Sequence, residues 1–77
     1  MVVAYIMVKA HTGAADRLRD DIEAIDGVTT AHIVASDVDV IAKADVDSPE
    51  AVKGVAAHEI QGLDGVENTR TYVAMNS

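Results

Sequence analysis

Two carboxylates, Asp37 and Asp39, flank Val38 in the middle of this chain. Asp is a poor strand former, so an acid set among Val38, Val40 and Ile41 asks for a reason. Alternation places Asp39 on the opposite face of a strand from Val38 and Val40. A carboxylate so placed can pair with an ammonium group. The backbone N–H groups of a turn such as Ser36-Asp37 can donate to a carboxylate. A solvated, acid-rich strand edge is the plainer explanation of the same residues. Arg70 is the isolated cation of the last third and reads as a cross-strand charge partner. Other chemistry finds less support. His11, His32 and His58 fall in a loop, a strand and a helix without ligand spacing, and the chain has no Cys; no metal site is expected. No Ser occupies a nucleophile elbow, and His11-Thr12-Gly13 is too poor in glycine to cradle a phosphate. Neither catalysis nor a cofactor is expected.

Composition narrows the classes further. Seventy-seven residues make one small domain. A core of this size rarely supplies more than about 3–5 kcal/mol without a staple. Without Cys there is no disulfide to serve, which leaves self-association. Hydrophobic residues are 49% of the chain, yet Trp and Phe are absent and Tyr5 and Tyr72 are the only aromatics. The net charge of −7, from thirteen acids against six bases, disfavours direct binding to nucleic-acid phosphates or an anionic membrane. Abundant Asp and scarce Lys fit a salt-adapted surface. No apolar run is long enough to span a bilayer. The start alternates like a strand and lacks a basic leader, so a cytoplasmic protein is expected.

The elements that must position the acids follow from periodicity. Val2–Ala10 is a strand apolar on both faces, with Val3, Tyr5 and Met7 on one side and Ala4, Ile6 and Val8 on the other. Thr12 can cap a helix with apolar positions Ala15, Leu18, Ile22 and Ile25, stopped by Gly27. Residues 30–35 and 38–44 form a hairpin broken at Ser36-Asp37. Ser48-Pro49-Glu50 starts a second helix, which buries Val52, Val55, Ala56 and Ile60 and ends at Gly62. Residues 68–75 form the last strand, with Thr71, Val73 and Met75 sharing one face. Ile25-Asp26-Gly27-Val28 recurs as Leu63-Asp64-Gly65-Val66, each time joining a helix to a strand. Two such halves predict an α+β, ferredoxin-like β-α-β-β-α-β sandwich with antiparallel sheet order 4-1-3-2. Helices on one face leave Val3, Tyr5, Met7 and Val73 on the other, an apolar patch that predicts a homodimer packed sheet to sheet, a dimeric α+β barrel.

With those residues in view, the chain resembles the ligand-binding domain of the Lrp/AsnC (feast/famine) transcription regulators. The resemblance spans essentially the whole chain. It is carried by the run from Ala31 to Asp39, by Asp37, Asp39 and Lys43, by Asp26-Gly27-Val28, and by Gly65, Val66, Thr69 and Thr71. Ala35 and Ser36 stand where that family usually has Thr and Gly, and Val38 replaces an aromatic residue. These departures bear on which effector is taken. The resemblance implies an amino-acid effector held near Ala35, Ser36, Asp37 and Asp39, with Thr69 and Thr71 adding hydroxyl contacts. It also implies rings of dimers and partnership with full-length regulators. Strand one begins at Val2, so the resemblance implies a stand-alone domain of residues 1–77 without the family's helix-turn-helix. Two function classes result: a sensing and oligomerisation module in transcription regulation or amino-acid metabolism, or a small dimeric α+β-barrel enzyme. The large side chains expected on the inner sheet face leave little cavity and favour the first.

Overall fold

The structure, a computed structural model, describes residues 1–76. Its elements are β1 (Val2–Ala10), α1 (Ala15–Glu23), β2 (Val28–Ile33), β3 (Val40–Val46), α2 (Pro49–Lys53), a π-helical continuation (Gly54–Ile60) and β4 (Val66–Val73). The four strands form one antiparallel sheet in the order β2-β3-β1-β4. This is the ferredoxin-like β-α-β-β-α-β plan, with the two most apolar strands in the centre.

Alternation along β1 sorts the two faces. Ala4, Ile6 and Val8 are fully buried beneath the helices, where they meet Leu18, Ile22, Val40, Ala42, Ala44 and Ile60. No polar or charged residue is buried among the described residues. The opposite face carries Val3, Tyr5 and Met7, and no helix covers it. Val73 departs from the expected placement. It stands opposite Ala4 and so shares the helix side of the sheet. The residue facing Tyr5 is Tyr72. Counting from one end of an edge strand fixed its alternation but not which set turned inward.

The two similar joints are built alike. Gly27 and Gly65 adopt φ of +97° and +99°, a region closed to most side chains. The Gly27 carbonyl accepts the Asp45 N–H at 2.9 Å, and the Gly65 carbonyl accepts the His11 N–H at 2.8 Å. Each joint therefore holds the strand end of the other half, which interlocks the halves.

Several boundaries differ from the sequence expectation for identifiable reasons. Thr12 does not cap α1. The N-cap is Ala14, whose N–H closes a turn onto the His11 carbonyl at 3.0 Å. Ser48 caps α2 as expected, accepting the Ala51 N–H at 3.2 Å, with Pro49 behind it. Past Lys53 the helix widens: the Gln61 N–H reaches the Ala56 carbonyl, five residues back, at 3.3 Å. Gly54 opens this stretch, yet Val55, Ala56 and Ile60 still reach the core. The central hairpin is looser than a two-residue turn. Its ladder closes where the Val34 N–H meets the Asp39 carbonyl at 2.9 Å, and residues 35–38 form the tip. β4 begins earlier and ends earlier than expected. Val66 pairs with Ala10 beyond a register slip at Lys9 and Ala10, and Met75 lies exposed outside the strand. None of the helices described is long and apolar enough to cross a membrane.

Candidate functional site

The loop at residues 34–39 stands at the end of the sheet where β1 finishes and α1 begins. Its anchor is Asp39, which lies just before β3 rather than inside a strand. The Asp39 N–H donates to the Val8 carbonyl at 2.9 Å, extending the ladder between β1 and β3 by one bond. Its Oδ2 accepts the Ala10 N–H at 2.8 Å. That donor faces β3, which begins only at Val40, so the carboxylate supplies the acceptor that the β1–β3 ladder lacks beyond Val8 and Val40. Lys9 Nζ approaches the same oxygen at 3.8 Å.

Asp37 is freer. The Ser36 hydroxyl donates to its Oδ1 at 2.9 Å. That bond first, then its own backbone N–H, and then the nearby charges of Arg70 and Lys9 hold its carboxyl below the usual value of 3.8. Arg70 stands on β4 opposite Met7, on the face that no helix covers. Among the described residues no cross-strand charge partner faces it, contrary to the sequence expectation. The Tyr72 hydroxyl beside it, with a smaller effect from Asp37, keeps its guanidinium charged beyond its ordinary range. The loop end of the bare face thus gathers two carboxylates and two cations, Asp37, Asp39, Lys9 and Arg70. Sequence reasoning found the acids and missed the part of Lys9. Its alternation with Met7 along β1 placed it on the bare face all along.

The remaining expected residues fall differently. Ala35 and Ser36 are exposed in the loop tip beside Asp37. Thr69 and Thr71 stand opposite Val8 and Ile6, on the helix side of the sheet. The Thr69 hydroxyl accepts Gln61 Nε2 at 2.7 Å. They are not brought together with Lys9 and Arg70. His11 lies 3.7 Å from Glu67 across the joint. No three His, Asp or Glu side chains among the described residues converge as a metal site. An open cleft of about 360 Å³ lies at the far end of β3, lined by Asp26, Gly27, Asp45, Asp47 and Val55 among others.

A family model described as the Lrp/AsnC ligand binding domain matches residues 3–77. The chain belongs to this family. The Lrp/AsnC ligand-binding fold is also found by structural likeness. The chain is similar to TTHA0845 from Thermus thermophilus, with a TM-score of 0.95 at 23% identity, over 100% of this chain and 96% of that one. It is similar to E. coli AsnC with a TM-score of 0.89 at 21% identity, over 99% of this chain but 52% of that one. A third likeness is to the transcriptional regulator NMB0573 from Neisseria meningitidis, solved as an L-Met complex. There the TM-score is 0.83 at 13% identity, over 97% of this chain and 50% of the regulator. The chain therefore spans about half the length of the two regulators. Identities this low establish the shared fold. No curated protein matches the chain.

Proposed function

We propose that this Lrp/AsnC domain is a sensing and oligomerisation module. It binds a small amino acid and acts on transcription or amino-acid metabolism through partner regulators, without catalysing a reaction. The observation that carries the proposal is the mixed charge set at the loop end of the bare sheet face: Asp37 and Asp39 beside Lys9 and Arg70. A zwitterion offers an ammonium to the first pair and a carboxylate to the second. Ala35 and Ser36 contribute the backbone and hydroxyl of the loop tip. Membership of a ligand-binding family supports this choice of class, and the L-Met complex of a regulator with the same fold is in keeping with it.

The second half of the proposal is self-association. Val3, Tyr5, Met7 and Tyr72 form an apolar patch too large for a small domain to leave in water. A second copy of the chain covers it, giving a dimer that assembles further into rings. Mixed assembly through this face with a longer regulator of the family is the route to DNA. With its net charge of −7 the isolated chain does not bind duplex DNA itself.

Native mass spectrometry of the purified protein, alone and with each of the twenty amino acids, tests both halves. Dimers or multiples of dimers, with one amino acid retained per loop or per pair of loops, are expected. A folded monomer sinks the assembly, and an oligomer that retains no amino acid sinks the sensing role.

A further inference from the structure

Resting on the self-association just proposed, we infer that Lys43 and Asp45 pair across the sheet-to-sheet dimer, each with the other residue of a second copy of this chain. The bare face is not uniformly apolar. Lys43 and Asp45 lie on β3, where they alternate with the buried Ala42 and Ala44 and so turn away from the helices. Lys43 stands opposite Tyr5, and Asp45 stands opposite Val3. Both backbones are pinned from the β2 side. The Lys43 carbonyl accepts the Thr29 hydroxyl at 3.1 Å, and the Asp45 N–H donates to the Gly27 carbonyl at 2.9 Å. Neither residue forms an ion pair among the described residues. Lys9, which lies against Asp39 at 3.8 Å, and Arg70, opposite Met7, stand toward the loop end of the same face. A second sheet laid on this face would bury both β3 charges, and a buried charge without a partner is costly.

Symmetry supplies the partner. A homodimer closes about a two-fold axis, so whatever one residue meets, the partner's copy of it meets in return. Two sheets lying face to face hold that axis between them. When it crosses the strands midway between Lys43 and Asp45, Lys43 lies over the partner's Asp45, and Asp45 lies over the partner's Lys43. The register carries the same operation to the neighbouring strands. Tyr5 comes to lie over the partner's Val3. Ala74 is level with Val3, its N–H donating to the Val3 carbonyl at 2.8 Å, so Tyr72 comes to lie over the partner's Ala74. Large side chains thus meet small ones, and each ammonium meets a carboxylate. Stacked sheets lie about 10 Å apart, a gap that an extended Lys and an Asp bridge together. An axis running along β3 instead sets Lys43 over the partner's Lys43, and like charge opposes it. The pairing also selects partners: a related chain with a cation at the position of Asp45 meets Lys43 with repulsion.

Charge exchange tests the pairing, with the full chain and native mass spectrometry over a range of concentrations. Lys43→Glu leaves two acids at these positions, and Asp45→Lys leaves two cations. Each variant alone is expected to self-associate about a hundredfold more weakly than the native protein. Mixed in equal amounts, with one of them isotope-labelled, they should form the mixed dimer within about tenfold of the native affinity, because both cross-pairs are restored. Where a variant is unfolded alone, ellipticity regained on mixing reports the same pairing. Lys43→Met combined with Asp45→Asn carries no charge to misplace and should dimerise far better than either single variant. The pairing is overturned if either charged variant alone dimerises like the native protein, if the mixture shows no preference for the mixed dimer, or if the neutral double variant is as weak as the charged ones. In each of those cases a dimeric native protein leaves the self-association standing. A folded native monomer overturns the dimer itself, and this pairing with it.

Discussion

Tyr5 of β1 and Tyr72 of β4 stand directly opposite one another on the sheet face that no helix covers. Both rings remain well exposed, at 38% and 49%. In a chain with no other aromatic residue, placing both on the bare face gives that face the largest apolar side chains available. Cross-strand aromatic pairs contribute about 0.2–1 kcal/mol within a sheet, and more when a partner surface covers them. Tyr5→Asp should therefore split the proposed dimer while barely affecting the pairing of β1 with its neighbours. Val73→Asp is the control, because Val73 is comparably exposed, at 44%, but lies on the helix side. Sedimentation of the two variants distinguishes the faces. Dissociation by Val73→Asp, with Tyr5→Asp unaffected, would show that the wrong surface had been chosen.

Ser36 and Asp37 make a pH-dependent pair. The hydrogen bond from Ser36 is the largest cause of the lowered Asp37 value. A carboxyl group depressed in the folded state adds stability that is present above its unfolded value. That contribution is lost as pH falls through the lower folded value. Here the contribution is complete above pH 3.8, the ordinary carboxyl value, and disappears below it. Ser36→Ala should raise the Asp37 titration midpoint toward that ordinary value, followed by NMR at the side-chain carboxyl carbon. An unchanged midpoint would mean that Arg70 and Lys9, not Ser36, set the charge at the loop tip.

Much of this was legible in the sequence because it depends on local chemistry. Ser48-Pro49 announces α2 through a hydroxyl cap and a residue without an N–H. The repeated Asp-Gly-Val joints announce two like halves, and the structure gives both glycines the same left-handed backbone. What escaped depends on contacts between distant segments. Asp39 stood out as a strand-interior acid, but its partner, the Ala10 N–H, is open to it only because β1 runs on past the point where β3 begins. Val73 was placed by counting along one strand, whereas its face is set by the register with Ala4. Thr12 had the right chemistry for a cap, yet the turn from His11 to Ala14 closed on the backbone first. The π-helical stretch left no periodic mark, since Val52, Val55, Ala56 and Ile60 suit an ordinary helix equally well.

Arg19 guards the open edge of β2. Its Nε donates to the Ala31 carbonyl at 3.0 Å, and its other nitrogens pair with Asp20 and Glu23 at 2.9 Å each. An edge carbonyl capped in this way cannot recruit a strand from another molecule. Arg19→Met keeps most of the aliphatic stem but frees that carbonyl. Exposed ion pairs contribute only about 0–1 kcal/mol, so the variant should melt within a few degrees of the native protein. Its association should nonetheless climb past that of the native protein as concentration rises, read by light scattering. A variant that loses stability without further association would make Arg19 a simple tie between α1 and β2.

Two glycines should respond to alanine with opposite signs. Gly54 has helical backbone angles, φ −58° and ψ −49°, and an added Cβ would meet nothing within 4 Å. Gly54→Ala restricts only the unfolded chain and should stabilise by about 0.4–1 kcal/mol. At Gly65 the backbone φ is +99°, and a Cβ would lie 2.8 Å from Arg17 Nη2 and 3.1 Å from the Ala14 Cβ. Arg17 cannot simply swing aside, because the same nitrogen donates to the Asp64 carbonyl at 2.7 Å. Gly65→Ala should therefore cost about 1–3 kcal/mol through backbone strain alone, and more through the lost Arg17 contact. Because the Gly65 carbonyl also holds the His11 N–H at the end of β1, the damage should reach the base of the loop at residues 34–39. Chemical denaturation of both variants, read alongside amide exchange at His11, checks the pair. Equal midpoints for the two, or slow His11 exchange in Gly65→Ala, would mean that the joint tolerates a side chain and that the interlock between the halves is weaker than its geometry implies.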